Sequence, residues 1–401
     1  MPNICFYFQV HQPWRLRPYS LFDVGENHDH FSDELNKRIM SKVAAKCYLP
    51  ANRLMLELIR RNRGRFNIAY SISGVAIEQM KRFAPQALES FRELAATGCV
   101  EFLGETYYHS LAALADESEF KCQVLEHSEL IERTFGRRPR VFRNTELIYN
   151  NRIGEVASEL GFKGIAAEGA DDILGWRSPN YLYRHPSTDL RLLLKNYKLS
   201  DDVAFRFSNR GWAEFPLTAE KYARWLHAIS GAGEIVNLFM DYETFGEHQW
   251  QETGIFDFMR ALPERLLKEP EWGFVTPSQA LDSARPVAEL SFARTVSWAD
   301  TERDVSAWLG NELQRNAFAA LYELGPELRE RNNPAALSHW RRLQTSDHLY
   351  YMCTKWYADG DVHAYFSPYE SPYEAFINFM NVLADLRQSV LWQRRSTAGI
   401  A

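Results

Sequence analysis

The 401-residue sequence has no excess of positive charge. It contains 46 Lys and Arg against 52 Asp and Glu, which gives a formal net charge of −6. A protein that binds nucleic acid or an anionic membrane needs a basic surface to neutralise phosphate groups. We therefore expect no nucleic-acid partner.

Cysteine is scarce and scattered. The five cysteines are widely spaced and form no CxxC pair; they are Cys5, Cys47, Cys99, Cys122 and Cys353. An odd number without such pairs argues against a disulfide framework and against a thiolate zinc site. We expect reduced thiols, no bound metal and no cofactor.

Long apolar runs are missing as well. The early apolar run from Ile4 to Val10 has no basic lead-in and no small-residue cleavage site. No stretch reaches the roughly 18 apolar residues that a membrane span requires. These absences predict a soluble, cytoplasmic protein with no membrane partner. The sequence does not indicate its oligomeric state.

Aromatic residues, in contrast, are abundant. The chain contains 11 Trp, 19 Tyr and 25 Phe, or 14% of its residues. Aromatic rings fill cores, and they also stack on the flat faces of sugar rings. Trp14, Tyr107 and Trp298 are candidates for the second role, with ordinary packing as the alternative for each.

Seven short runs rich in β-branched and aromatic residues alternate with helical stretches over the first 250 residues. They are Ile4 to Val10, Phe66 to Ser73, Val100 to Glu105, Val141 to Glu146, Gly164 to Ala167, Leu190 to Asn196 and Ile235 to Asp241. This alternation predicts a parallel sheet, and seven successive βα units favour a closed α/β barrel. The segment from Phe274 to Thr276 is a candidate for an eighth short strand.

The strand rhythm stops after Pro286, and helical patterns follow. We therefore predict a catalytic barrel over residues 1–285 and a helical domain over residues 286–401. The apolar faces of the helices need a partner, and the flank of the barrel is the nearest one. The helical domain is thus expected to pack against the barrel.

Polar side chains follow the apolar strands at the point where each strand ends. In a βα barrel these positions lie at the C-terminal mouth, where such enzymes place their sites. Glu146 and Asp241 are each the first acidic group after an almost wholly apolar strand. Two facing carboxylates can cleave a glycosidic bond, one as nucleophile and one as proton donor. Capping of the following helix is the alternative for both.

A metal site is a second possibility at the same mouth. Asp241, Glu243, Glu247 and His248 are potential ligands, and His11 or His109 could complete the shell. Four such residues within eight positions cannot all point inward, and no HExxH or DxDxDG pattern is present. Both points argue against a bound metal. The ligand-type residues nevertheless keep a metal-dependent carbohydrate deacetylase as an alternative function.

Several segments resemble those of one known family. They are HQP at His11 to Pro13, GETYYHSL at Gly104 to Leu111, TEL around Glu146, NYKLSDDVAFRFS at Asn196 to Ser208, MDYETFGEH at Met240 to His248 and SWADTERDVSAWLGN at Ser297 to Asn311. In this order, over nearly the whole chain, they resemble glycoside hydrolase family 57, in particular its α-amylase and α-amylase-like branch.

The resemblance implies a distorted (β/α)7 barrel whose appended helical domain completes the active-site cleft. It implies a retaining mechanism on α-glucans, with Glu146 as nucleophile and Asp241 as general acid/base. It also implies sugar contacts from the strand-end motifs and from an acidic-aromatic motif in the helical domain, which map to His11, Glu105 or His109, Glu243 and Asp347.

This chain departs from the family pattern at two positions. Gln9 stands where many relatives have the first histidine of HxHQP, and His248 stands where some have a tryptophan. His248 is thus a candidate sugar contact, and the aromatic platform is expected from Trp14, Trp250 or Trp298. Arg143 is expected to point away from Glu146, because strand alternation pairs it with Thr145.

The sequence thus predicts a retaining α-1,4-glucan hydrolase of the α-amylase type. A 4-α-glucanotransferase acting on the same substrates is an alternative, because the choice of water or sugar as acceptor depends on loops. The same residues also fit a deacetylase, or a glucan-binding protein with weak activity or none.

Overall fold

The computed structural model describes residues 2–331, 333–355 and 367–398. No helix among these residues is long and apolar enough to cross a membrane.

The centre of the molecule is a sheet of seven parallel strands with a short eighth strand at one side. The strands are β1 Asn3–Val10, β2 Ile68–Ile72, β3 Val100–Phe102, β4 Val141–Arg143, β5 Gly164–Glu168, β6 Tyr183–Arg184, β7 Arg191–Lys195 and β8 Ile235–Asp241. The parallel strands lie in the order β3-β2-β1-β8-β7-β5-β4, and β6 pairs antiparallel with β7. The seven parallel strands occur at the seven predicted runs.

The sheet closes on itself just beyond the ends of this order. The Gly104 amide donates to the Val141 carbonyl at 2.9 Å, and the Arg143 amide donates to the Gly104 carbonyl at 2.7 Å. The chain after β3 thereby joins β4. The pairing of β7 with β8 is also short, because it consists of a single register pair, Lys195 with Asn237. The result is a distorted (β/α)7 barrel.

The predicted eighth strand exists in reduced form. Phe274 makes one parallel bridge to Ile4, and its neighbours are not part of a strand.

Helices cover the outside of the barrel and make up most of the C-terminal part. They are α1 Asp33–Val43, α2 Leu49–Arg61, α3 Gly74–Phe83, α4 Pro85–Ala96, α5 Glu117–Phe135, α6 Asn151–Glu159, α7 Asp171–Leu174, α8 Tyr197–Ala204, α9 Ala219–His227, α10 Ile255–Leu266, α11 Pro277–Ser283, α12 Ser306–Leu309, α13 Glu312–Glu323, α14 Gly325–Arg331, α15 Pro334–Leu343, α16 Ser346–Tyr350 and α17 Pro372–Ala398.

Side-chain alternation along the strands separates the barrel interior from its outer surface. Cys5, Tyr7, Val141 and Phe239 point inward into a small apolar cluster. Phe6 and its neighbours of the same parity pack outward against the helices. Because the interior is filled with side chains, ligands have access to the ends of the barrel and not to its centre.

The C-terminal helices pack against one flank of the barrel, as predicted. Trp308 and Trp340 from these helices share a hydrophobic core with Val75 and Phe142 from the barrel part. The same packing brings residues that follow position 286 to the carboxyl ends of the strands.

Candidate active site

Six of the predicted site residues form one connected cluster at the carboxyl ends of the strands. His109 is hydrogen-bonded to both Glu105 and Glu146, and Glu146 is hydrogen-bonded to Trp298. His11 stacks on His109 and is hydrogen-bonded to Asp347. Glu146, Trp298, His11 and Asp347 are partly exposed, as is Asp241, whereas Glu105 and His109 are buried beneath them. The cluster therefore has an open side and a buried support.

Glu146 lies in a single turn of 3-10 helix, Thr145–Leu147, directly after β4. Its φ of 56° is in the left-handed region, which non-glycine residues adopt at a cost of roughly 1–3 kcal/mol. This turn breaks the alternation of the strand and aims the Glu146 side chain into the cluster. The side chain is 17% exposed.

Three donors hold the Glu146 carboxylate. Oε1 accepts from His109 Nε2 at 3.1 Å and from Ser346 Oγ at 3.0 Å, and Oε2 accepts from Trp298 Nε1 at 2.8 Å. Burial raises the pKa of Glu146, but the His109 hydrogen bond and the charges of His109 and Arg143 outweigh burial and lower it to about 2. Glu146 is thus ionised at neutral pH.

His109 lies between two carboxylates. Its Nδ1 is 3.1 Å from Glu105 Oε2, opposite the bond to Glu146. Burial lowers the pKa of His109, but hydrogen bonds to both carboxylates and their charges raise it to about 9. His109 is therefore an imidazolium that donates from both ring nitrogens.

Glu105 is fully buried and also accepts from Gln9 Nε2 at 3.4 Å. Glu105 thus supports His109 from below, and the predicted sugar contact from Glu105 or His109 stays a prediction. Gln9, at the position of the missing histidine, is part of the same buried support.

His11 stacks on His109 with ring centroids 3.9 Å apart. Its Nδ1 is 2.7 Å from Ser73 Oγ and its Nε2 is 3.0 Å from Asp347 Oδ2. Burial and the nearby charge of His109 lower the pKa of His11, so that the ring is neutral. Since a carboxylate only accepts, the proton is assigned to Nε2, and Nδ1 accepts from Ser73.

Asp241 is the last residue of β8 and is partly exposed. Its register partner on β1 is Gln9, which contacts Glu105. Burial and the negative charge of Glu146 raise the pKa of Asp241 to about 6, against the opposing charges of Arg143, Lys195 and His109. The charge of Glu146 thus favours the protonated form of Asp241.

Glu243 and His248 occupy the turn that follows β8. Glu243 accepts from the Tyr48 hydroxyl and from Gln12 Nε2 at 3.4 Å. Burial and the charge of Asp241 raise the pKa of Glu243 to about 8. His248 is partly exposed, its amide donates to the Glu243 carbonyl at 2.9 Å, and burial lowers its pKa to about 4.

The prediction that Arg143 points away is wrong. Its fully buried guanidinium lies 4.9 Å from the centre of the Trp298 ring and 3.6 Å from Glu105 Oε2. Strand alternation puts Arg143 on the inward side with Val141, and the left-handed turn then brings the Glu146 side chain to the same side. The positive charge of Arg143 lowers the pKa of both candidate carboxylates.

Trp14 and Tyr107 share one hydrogen-bond partner outside the cluster. Trp14 Nε1 and the Tyr107 hydroxyl each donate to Glu78 at 3.0 Å, and Arg342 covers the Trp14 ring at 4.6 Å. Trp14 is 2% exposed, and its predicted stacking on sugar stays a prediction. Tyr107 keeps partial exposure.

Sequence reasoning missed three supporting residues, Arg143, Tyr48 and Ser73. Tyr48 lies in the π-helical turn Ala44–Tyr48 and Ser73 caps α3. No local pattern marks either residue, because their contacts to Glu243 and His11 span 195 and 62 positions.

In the part of the chain that the structure describes, no three His, Cys, Asp or Glu side chains are arranged to hold a metal ion.

Comparison with known proteins identifies relatives over most of the chain. A protein of Methanocaldococcus jannaschii named "Putative alpha-amylase" is 46% identical over 399 residues, covering 95% of this chain and 83% of the relative. The family 57 branching enzyme of Thermococcus kodakaraensis superposes with a TM-score of 0.70 at 14% identity, over 96% of this chain and 89% of that one. An α-amylase of Thermotoga maritima superposes with a TM-score of 0.64 at 15% identity, over 97% and 93%.

The two structural likenesses, at this low identity, establish the fold alone. The family assignment comes from sequence, since the model of glycosyl hydrolase family 57 matches residues 5–293. This chain therefore belongs to glycosyl hydrolase family 57.

Proposed function

We propose that this protein is a retaining glycoside hydrolase that cleaves α-1,4-glucans, with Glu146 as nucleophile and Asp241 as general acid/base. Membership of a glycoside hydrolase family and the α-amylase name of the M. jannaschii relative support the substrate class.

The different surroundings of the two carboxylates carry the assignment of roles. The pKa of Glu146 is lowered to about 2, and the pKa of Asp241 is raised to about 6. The pair therefore differs in protonation near pH 5, with an ionised nucleophile beside a protonated acid. Carboxylates whose environments push their pKa values apart are typical of acid/base pairs in glycosidases.

The geometry around Glu146 suits nucleophilic attack. His109 and Ser346 both bond to Oε1, whereas Trp298 bonds to Oε2. A carboxylate oxygen has two lone pairs, so Oε2 keeps one for the anomeric carbon of the sugar. His109, as an imidazolium, stabilises the ionised nucleophile before attack.

The reaction proceeds in two displacements. Glu146 Oε2 forms a bond to the anomeric carbon while the glycosidic bond breaks, and the Asp241 proton moves to the leaving oxygen. Water then forms a bond to the same carbon and gives its proton to Asp241 as the bond to Glu146 breaks. Two inversions retain the configuration.

Residues 286–401 complete the cleft in this proposal. Ser346 and Asp347 of α16 bond to Glu146 and His11 of the barrel, and Trp298 bonds to Glu146. We assign His11, Asp347, Glu243 and His248 to sugar binding, with Tyr107 beyond them. All are partly exposed except Glu243, which is 6% exposed.

Incubation with maltoheptaose, followed by separation of the products, tests this function. Shorter oligomers alone mean hydrolysis, and longer oligomers mean that a sugar hydroxyl is the preferred acceptor. Glu146→Gln and Asp241→Asn are each expected to abolish turnover, and NMR of the first product is expected to show the α-anomer. Activity that survives either substitution, or a β-anomer, contradicts the proposal. Binding to glycogen without products indicates an inactive glucan-binding protein.

A further inference from the structure

Residues 297–304 form a tight loop beside Glu146. The Ser297 amide donates to the Arg303 carbonyl at 3.1 Å, and Ser297 Oγ donates to the Asp304 carbonyl at 2.6 Å. Arg303 has a φ of 51°, in the left-handed region that β-branched and bulky residues rarely adopt. The loop therefore has one defined shape, held across its base.

This loop contacts Glu146 at two points. The Trp298 amide donates to the Glu146 carbonyl at 3.2 Å, and the Trp298 indole donates to the Glu146 carboxylate at 2.8 Å. The backbone and the side chain of Glu146 are thus both fixed by one residue. His109 and Ser346 bond to the other carboxylate oxygen and cannot replace the indole at Oε2.

Arg303 fixes Trp298 in turn. Its guanidinium donates to the Trp298 carbonyl at 2.8 Å and to Glu168 and Asp201 at 3.4 and 3.3 Å. Glu168 is the fully buried last residue of β5, and Asp201 lies in α8. The loop is therefore anchored to the barrel through a largely buried ion cluster.

Two other cations approach the ring of Trp298. Arg143 lies 4.9 Å and Lys195 Nζ lies 5.3 Å from the ring centre, and Lys195 also bonds to Asp201 at 3.1 Å. Both cations are buried, and cation–π contacts of this kind strengthen when desolvated. Trp298 is consequently held as a hydrogen-bond donor, and its ring is less suited to stacking on a sugar.

We propose that Arg303 is a positioning residue, which locks the loop of residues 297–304 so that the Trp298 indole orients Glu146 for attack. This inference rests on the proposed function, because it assigns Glu146 as the nucleophile. It also replaces the predicted stacking role of Trp298 by the role of a donor to the nucleophile.

A double-mutant cycle tests the proposal. Trp298→Phe keeps an aromatic ring and removes the donor, and Arg303→Met keeps an unbranched apolar stem and removes the charge and the donors. With an aryl α-maltoside as the probe, each variant is expected to lose about tenfold in kcat with KM nearly unchanged, the value of one charge-assisted hydrogen bond. Arg303→Met in the Trp298→Phe background is expected to change kcat by less than about twofold.

Arg140→Met is the matched control. Arg140 forms a bidentate pair with Asp282 at 3.1 Å on the protein surface, and its loss is expected to leave kcat unchanged. Thermal unfolding of every variant separates lost positioning from lost folding. If Arg303→Met does not fold, Arg303→Lys and Trp298→Phe carry the test, with a partial loss of kcat expected for Arg303→Lys.

The outcomes separate this inference from the proposed function. Multiplying effects in the double variant, a rise in KM at constant kcat, or full activity of Arg303→Met each overturn the positioning role. If Glu146→Gln stays active, the proposed function fails, whatever the loop variants do. If Glu146→Gln is inactive while the loop variants are unaffected, the positioning inference alone fails.

Discussion

Replacing His109 with Gln is expected to lower stability at neutral pH and much less at alkaline pH. In the folded protein the pKa of His109 is about 9, against an ordinary value of 6.5. A histidine whose pKa is raised by folding contributes stability that is fully present below the unfolded value. This contribution is lost as the pH rises through the folded value.

The expected size follows from the difference between the two pKa values. From 6.5 to 9 is about 2.5 pH units, which corresponds to about 3 kcal/mol of pH-dependent stability at most. The His109 side chain is 3% exposed, so solvent screening reduces this figure only slightly. Wild type and His109→Gln should differ most below pH 6.5 and progressively less up to pH 10.

Urea unfolding of the full chain at pH 6, 8 and 10 measures the difference. His127→Gln is the matched control, because His127 is equally buried but burial lowers its pKa. The control is expected to lower the free energy of unfolding by the same amount at pH 8 and at pH 10, where the histidine is neutral in the unfolded chain as well. A difference between wild type and His109→Gln that is constant from pH 6 to pH 10 would refute the imidazolium assignment.

Three further predictions concern the acid, the turn after β8 and the hydroxyl beside it. The pKa of Asp241 is about 6 and the acid must be protonated, so kcat/KM for maltoheptaose is expected to fall about tenfold per pH unit above pH 6. A substrate with a phenolate leaving group needs no proton, so its kcat/KM should fall less steeply with pH. Equal slopes for the two substrates would contradict the role of Asp241 as the acid. Gly246→Ala should lower the melting temperature markedly, because φ is 113° and a Cβ would lie 2.1 Å from the Lys46 carbonyl oxygen. Gly231→Ala is the control, because Gly231 also has a positive φ but faces open space, and its melting temperature should fall much less. Equal falls in melting temperature would show that the close approach at Gly246 is unimportant. Tyr48→Phe removes a hydrogen bond that lowers the pKa of Glu243, so Glu243 should titrate at higher pH in the variant. ¹³C NMR of the Glu243 carboxyl group measures this titration. An unchanged titration would contradict the hydrogen bond between Tyr48 and Glu243.

The sequence predicted the barrel well because each strand is a short apolar run with clear ends. It placed β8 at Ile235–Asp241 correctly, and that placement depends on local pattern alone. The predicted strands that end at Glu105 and Glu146 were each three residues too long. There the chain leaves the strand to close the barrel, and closure depends on contacts that no short window contains.

The site was predicted in its membership more than in its internal roles. The motifs predicted His11, His109, Glu146, Trp298 and Asp347 as residues of one site. They did not indicate which of these side chains face solvent. Burial decides that question, and burial depends on packing of distant segments. Glu105 and Trp14 are buried where the sequence predicted sugar contacts, and those contacts stay predictions.

Residues that hold the site through contacts distant in sequence could not be predicted for the same reason. Glu146 joins Arg143 on the inward side because a left-handed turn follows β4, and strand parity gives no warning of that turn. The division at residue 285 stays a prediction, since the C-terminal helices share a hydrophobic core with the barrel.

Trapping of the covalent intermediate tests the central claim most directly. A 5-fluoro α-glucosyl fluoride forms a glycosyl-enzyme that breaks down slowly, and peptide mapping by mass spectrometry then locates the labelled residue. We expect a single label on the peptide that contains Glu146, and none in Glu146→Gln. A label on another carboxylate, or rapid turnover of the wild type without a covalent adduct, would contradict the assignment of Glu146 as the nucleophile.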